Sequence, residues 1–165
     1  MSGLNLSGEE LVEWNDLTAK KWRDFINANP ALLQLPSDIR ESKTVAQVLQ
    51  HIVAVELRYA QRLAGVAETE YAAVPFNTAD EILTTHNEAM ALLRGVLADP
   101  GFDWTQEIEF MTITAGKLRT TRKAAFIHAL MHSIRHYAQL STLVRQHGFK
   151  PDWPMDYLFL AARPA

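Results

Sequence analysis

Apolar residues recur every three to four positions in four long segments of the chain, which predicts four amphipathic helices. Ser7, Thr44 and Thr78 stand where helix N-caps are expected, and Asn29-Pro30 and Gly65 stand where helices should stop. The predicted helices span about residues 8–29, 45–64, 78–98 and 121–147.

The spacing of the apolar residues changes between the third and fourth predicted helices. Ile108, Phe110, Thr112 and Thr114 alternate with other residues before Ala115-Gly116, which predicts a small hairpin or an extended loop. After Gly148 the tail holds Pro151 and Pro154, and the residues that follow have room for a short terminal helix at most. The pattern predicts an all-α fold, a four-helix bundle with a small extended or hairpin insert before the last long helix. We expect residues 1–165 to form one domain. The long first and third loops leave the order of the helices in the bundle open.

Composition narrows the possible functions. The 165 residues are 48% hydrophobic, and 16 basic against 19 acidic residues give a net charge of −3 without a basic run, so nucleic-acid binding is disfavoured. There is no cysteine, so any thiol chemistry needs a thiol from solution. No apolar run approaches the ~20 residues of a membrane span and no secretory signal stands at the N-terminus, so we expect a cytoplasmic protein without membrane contact.

The fourth predicted helix carries three histidines at four-residue spacing, His128, His132 and His136. Side chains at positions i and i+4 lie one turn apart and lean the same way, so two neighbouring imidazoles can bind one metal ion. His128 and His136 lie two turns, about 12 Å, apart along the axis and cannot share an ion. Apolar neighbours such as Ala129 and Leu140 indicate that this ridge faces inward. The spacing allows either His128 with His132 or His132 with His136 to bind the ion. In both cases a third ligand must come from another part of the chain.

Other helices offer candidates for that third ligand. His51 has apolar neighbours at helical spacing, so it faces the core or its rim, where it could complete the site or simply form an ordinary hydrogen bond. His86 lies on the apolar stripe of the third helix and either lines the same cavity or is a partly buried histidine at the bundle end. Gln139 shares a face with His136 and could hydrogen-bond a ligand ring or a substrate.

Two charged residues near these histidines are predicted to lie outside the site. Glu56 is about 140° around the helix from His51, which indicates a surface residue or a partner of an arginine. Arg135 is turned about 100° from His136 and is predicted to be a rim or surface charge. No carboxylate is therefore clearly placed on the ligand faces to act as a general base.

The chain resembles the DinB-like/YfiT-type metalloproteins, small four-helix bundles with a metal-binding histidine triad. The resemblance covers nearly the whole chain and rests on VLQHIVAVELRYAQRLAG, on EIEFMTITAGKLRTT, and on the spaced histidines followed by QLSTLVRQHGFKP. The family has one ligand on the second helix and an H-x-x-x-H pair on the fourth, usually followed by Arg-Gly-Gln. Tyr137 and Ala138 replace the usual Arg and Gly here, while Gln139 matches. A translesion polymerase shares the family's name, and this sequence does not resemble it.

The resemblance implies that His51, His132 and His136 hold one divalent metal ion, with His128, Gln139 and His86 lining or supporting the site. Three imidazoles leave a position for water or substrate, as in catalytic zinc sites, and zinc and nickel both suit such ligands. Thiol-dependent transferases among the relatives imply a metal-dependent enzyme that activates a small thiol, or water, against a small electrophilic substrate, in a stress role. A hydrolase fits less well. The alternative is a non-catalytic metal-binding or interaction module. The family also implies a homodimer.

Overall fold

The computed structural model describes residues 5–112 and 115–162. Its four long helices are α1 (Gly8–Ala28), α2 (Val45–Ala64), α3 (Ala79–Ala98) and α4 (Arg122–Gln146). The smaller elements are the strands β1 (Glu107–Thr112) and β2 (Gly116–Thr121), the helix α5 (Leu158–Ala161) and 3-10 turns at Pro30–Gln34, Ile39–Glu41 and Tyr71–Ala73. The all-α bundle with a hairpin before its last long helix is confirmed.

Local capping explains why the helices begin where the sequence predicts. The Ser7 hydroxyl accepts from the Glu10 amide, and the Glu10 carboxylate accepts from the Ser7 amide, which completes a capping box. Thr44 caps α2 through the Gln47 amide, but the Gln47 side chain accepts from the amide of Lys43, so the second box is shifted by one residue. At the end of α2, Gly65 adopts a left-handed conformation with φ of 70°.

The long first and third connections join helices that are not neighbours. In the bundle α2 packs against α3 and α4, and α1 packs against the same two helices. Helices α1 and α2 therefore lie diagonally opposite each other, as do α3 and α4. This order brings α2 and α4, which carry the candidate ligands, into direct contact.

Two hydrophobic clusters fill the bundle, one above the other. Trp22, Leu49 and Tyr137 belong to the first, and Met90 and Leu130 belong to the second. Where the clusters meet, each long helix contributes one polar residue that is at most 1% exposed, and these four residues are Asn15, Glu56, His86 and Ser133. We call them the polar layer.

The hairpin forms as predicted, with β1 and β2 antiparallel and Glu107 opposite Thr121. Thr114, part of the predicted alternation, lies outside the described residues. Phe110 of β1 packs on Tyr59 of α2 with ring centroids 5.6 Å apart, so the hairpin stands over the surface where α2 and α4 meet. None of the described helices is long and apolar enough to cross a membrane.

Candidate metal centre

Three histidine side chains converge between α2 and α4. His51 comes from α2, and His132 and His136 come from consecutive turns of α4. All three are buried, and one ring nitrogen of each lies within 4.8 Å of the others. The i, i+4 spacing aligns the α4 pair, and the contact between α2 and α4 supplies the third ring.

The converging atoms are the Nε2 nitrogens. His132 Nε2 lies 3.1 Å from His51 Nε2 and 3.2 Å from His136 Nε2. A neutral imidazole nitrogen offers either one N–H or one lone pair in the ring plane, so the two contacts at His132 cannot both be ordinary hydrogen bonds. Nitrogens about 2.0–2.1 Å from one zinc ion would lie roughly 3–3.4 Å from each other. The three side chains thus fit a shared divalent ion and can hold one.

Burial and nearby positive charge keep these rings neutral. Burial, followed by the charges of His136, Arg40 and Arg135, lowers the pKa of His51 to about 4. Burial and the neighbouring histidines lower the pKa of His132 to about 2. Burial and the charge of Arg135 also lower the pKa of His136, although the Gln139 side chain acts in the opposite direction. Neutral imidazole is the form that binds a metal.

The outer nitrogens of the triad differ in their surroundings. His51 Nδ1 lies 3.4 Å from the hydroxyl of Tyr71, whose oxygen can accept a hydrogen bond from the Nδ1–H, and this favours Nε2 as the ligand atom. Within the described part of the chain, His132 Nδ1 and His136 Nδ1 are buried and have no hydrogen-bond partner. Orientation of these two rings therefore rests on packing within α4 and against α2.

A wide groove opens beside the triad. Its volume is about 1060 Å³, and His51 and His132 form part of its wall together with side chains of the hairpin and of the loop around Arg40. Pockets of roughly 300–1,000 Å³ accommodate drug-sized ligands, so this groove has room for two small reactants.

A DinB family profile matches residues 1–163 of the chain. The chain belongs to the DinB family. No match to a curated protein was found. The family match and the buried histidine cluster agree on a site that can hold a metal ion.

Among the predicted lining residues of this DinB-family protein, only His128 borders the groove. It is exposed there, with its ring 5.5 Å from that of His132, so the ridge turns from buried to open along α4. Gln139 is also exposed, near His136. His86 lies elsewhere, hydrogen-bonded to Glu56 and Asp16 in the polar layer.

The prediction for Glu56 is wrong. This residue is fully buried and accepts a hydrogen bond from His86 Nδ1 at 2.8 Å, instead of lying at the surface or beside an arginine. Glu56 does lie on a different side of α2 from His51, as predicted, but that side of α2 packs against α3. Arg135 is exposed as predicted, yet its Nη2 lies only 3.2 Å from His136 Nε2.

Sequence reasoning missed two residues of this site, Tyr71 and Arg40. Both lie in short 3-10 turns between helices, where no periodicity marks a residue as facing the triad. An aromatic residue and an arginine in polar loops are too common to signal a site without the fold.

The lowered histidine pKa values predict that metal uptake tolerates mild acid. A triad with ordinary pKa values near 6.5 would be about 90% protonated at pH 5.5 and lose roughly tenfold in affinity per ligand. We expect zinc affinity to fall less than tenfold between pH 7 and 5.5, measured by competition with a chromophoric chelator. A fall near a thousandfold would contradict the lowered pKa values. The metal-free protein should lose stability below about pH 6.5, since the unfolded chain binds protons that the folded site rejects.

Proposed function

We propose that this protein is a metal-dependent enzyme that transfers a low-molecular-weight thiol to a small electrophilic substrate. The observation that carries the proposal is the convergence of three Nε2 atoms, with that of His132 3.1 Å from His51 and 3.2 Å from His136, beside a groove of about 1060 Å³ whose wall includes His51 and His132. A structural site is normally closed by four protein ligands, whereas three ligands beside a cavity leave a position for a reactant.

The donor set favours zinc or nickel. His51, His132 and His136 are neutral nitrogen ligands, and among the residues that the structure describes no carboxylate, the ligand that magnesium, calcium and manganese prefer, joins this cluster. A divalent ion held there would act as a Lewis acid, increasing the acidity of a thiol or water and polarising an electrophile.

Protein groups around the groove can assist the transfer. The sulfur forms a bond to the electrophilic carbon, the leaving group departs with its electron pair, and the thiol proton must go to a base. His128 is exposed in the groove beside His132 and is the side chain we assign to accept this proton. Tyr71 keeps His51 in orientation. The thiol enters from solution because the chain has no cysteine.

Hydrolysis is less well supported by the same surroundings. A water nucleophile usually benefits from a nearby carboxylate base. Among the described residues that line the groove, the acidic side chain is Glu41, which is exposed on the far loop. This absence also supports the second candidate function, a non-catalytic module in which an ion fixes α2 to α4.

Metal content tests the site directly. After saturation with zinc and dialysis, we expect about one ion per wild-type chain by elemental analysis and almost none in His132→Ala or His136→Ala. His128→Ala is the matched control, because it removes an imidazole from the same helix but should keep its zinc. Full metal content in His136→Ala would show that the triad is assigned wrongly.

Activity separates the two candidate functions. The zinc-loaded protein is mixed with a panel of small thiols and the electrophile monobromobimane, and conjugate formation is followed by fluorescence. Under the proposal, His128→Ala keeps its metal and loses most of the rate. No rate above the uncatalysed reaction with any thiol, in a protein that holds one zinc, would favour the non-catalytic module.

A further inference from the structure

Arginine side chains dominate the charge of the groove. Five line it, and they come from the loop after the first helix, from α2, from β2 and from α4, namely Arg40, Arg58, Arg62, Arg119 and Arg135. Of the described lining residues, one is acidic, Glu41. Among the described lining residues, arginines therefore outnumber acidic side chains five to one, even without a bound ion.

Three of the five arginines have carboxylate partners. Arg62 contacts Glu68 through two nitrogens at 2.7 and 2.8 Å, and Arg58 reaches the same carboxylate at 3.2 Å. Arg119 contacts Glu109 across the hairpin at 2.6 Å. Within residues 5–112 and 115–162, Arg40 and Arg135 form no ion pair, so their charges are available to a ligand.

Arg135 stands directly over the triad. Its guanidinium Nη2 lies 3.2 Å from His136 Nε2, the nitrogen proposed as a metal ligand. If that nitrogen uses its lone pair for an ion, Arg135 can donate to another acceptor instead, and an anion in the groove can supply one. The guanidinium stays next to the position that a reactant would occupy.

Arg40 lines the same groove from the loop between α1 and α2. It adopts φ 48° and ψ 51°, and Glu41 follows at φ 63°, although non-glycine residues rarely adopt this left-handed region. Hydrogen bonds from the Ser37 amide to Lys43 O and from the Val45 amide to Leu35 O, each 3.0 Å, close the loop. The unfavourable conformation is therefore maintained by the loop closure.

We propose that Arg40 and Arg135 form an anion subsite, which binds the carboxylate or phosphate of a small reactant beside the histidine triad. Planar guanidinium groups match these oxygen anions in shape and charge. Three neutral imidazoles leave the charge of a divalent ion uncompensated, which adds to the need for an anionic ligand. Both arginines line the same groove as His51 and His132.

The remainder of the ligand would lie against an aromatic wall. The Tyr59 ring packs on Phe110 and lies 5.2 Å from the His128 ring, and Arg62 lies over Phe110 at 4.7 Å. These contacts form a rigid, partly apolar surface in the groove. The ligand class is therefore a small molecule with an acidic group and an apolar body. This specification of the substrate rests on the proposed function.

The test compares three probes, 3-phenylpropionate, phenyl phosphate and the neutral 3-phenylpropanamide. Dissociation constants are measured by ligand-observed NMR at constant ionic strength, in protein freed of metal by a chelator and in zinc-loaded protein. We expect at least one acid to bind tenfold or more tightly than the amide in both forms. Which acid binds better identifies the carboxylate or the phosphate as the preferred group.

Variants assign the binding to the two arginines. Arg40→Gln and Arg135→Gln should each weaken acid binding fivefold or more and leave amide binding unchanged. Arg119→Gln, which removes a paired arginine from the same groove, is the matched control and should change little. Unchanged melting temperatures show that the variants fold.

Equal binding of acid and amide, or an equal loss in Arg119→Gln, would overturn the subsite. Acid binding seen only with zinc and insensitive to both variants would also overturn it, because the anion would then bind the ion alone. Since the metal-free measurement needs neither an ion nor turnover, its failure is distinguishable from a failure of the proposed enzyme.

Discussion

Replacing Glu56 by leucine is expected to lower the free energy of unfolding by about 3–5 kcal/mol. Glu56 is fully buried, and its Oε2 accepts from His86 Nδ1 at 2.8 Å. On the other side of the ring, His86 Nε2 contacts Asp16 at 3.0 Å, and Asp16 pairs with Arg94 at the surface. The substitution leaves the His86 ring buried in the polar layer with only one of its two carboxylate partners.

The protonation state of His86 makes this loss large. Burial alone would lower its pKa, but the charge of Glu56 and hydrogen bonds to Asp16 and Glu56 outweigh burial and raise the pKa to about 9. At neutral pH the pair is therefore a buried ion pair, and removal of Glu56 leaves the charge of His86 inside the bundle with Asp16 as its remaining carboxylate partner.

Chemical denaturation at pH 7 measures the effect, with Arg94→Ala as the control. Arg94 belongs to the same chain of contacts but is exposed, so its loss should change stability by about 1 kcal/mol or less. The double variant Glu56→Leu/His86→Leu should recover part of the lost stability, because it removes both buried charges. A loss below 1 kcal/mol in the single variant would contradict a stabilising role for the pair.

The same pair predicts a pH dependence in the alkaline range. Because the folded pKa of His86 lies above the ordinary 6.5, its contribution is complete below pH 6.5 and is lost as the pH rises through about 9. We expect the wild-type protein to lose stability between pH 7 and 10 and the Glu56→Leu variant to lose less over that interval.

The helices were predictable because their signals are local. Ser7, Thr44 and Thr78 all cap the helices that the apolar period predicts, and each cap depends only on the next few residues. The spacing of His128, His132 and His136 is local too, and of its two adjacent pairs the structure brings His132 and His136 together with His51. The spacing alone could not select the pair, because the selection depends on which part of α4 packs against α2.

The positions of residues that depend on tertiary packing could not be predicted from the sequence. The sequence correctly places Glu56 on a different side of α2 from His51. That side is not exposed to solvent, however, because neighbouring helices enclose α2 and bury it as well. Tyr71 and Arg40 reach the site from loops whose conformations depend on closure by distant hydrogen bonds. A single sequence carries no periodic signal for such positions.

Zinc binding is expected to stabilise the wild-type protein by about 4 kcal/mol when the free ion is a thousandfold above its dissociation constant. For a chain of this size, that corresponds to a rise of roughly 8–16 °C in the melting temperature. The reason is linkage, because the three Nε2 atoms converge only in the folded bundle, where α2 and α4 meet. Differential scanning calorimetry with and without zinc measures the shift.

The variants make this stabilisation diagnostic. His132→Ala should melt at one temperature with or without zinc, since its Nε2 is the atom that contacts both other rings. His128→Ala should keep the full shift, because its ring lies in the groove outside the triad. An equal shift in both variants would place the zinc elsewhere on the protein. A full shift in a protein that conjugates no thiol would mean that the ion serves mainly to hold α2 against α4, which is the alternative function.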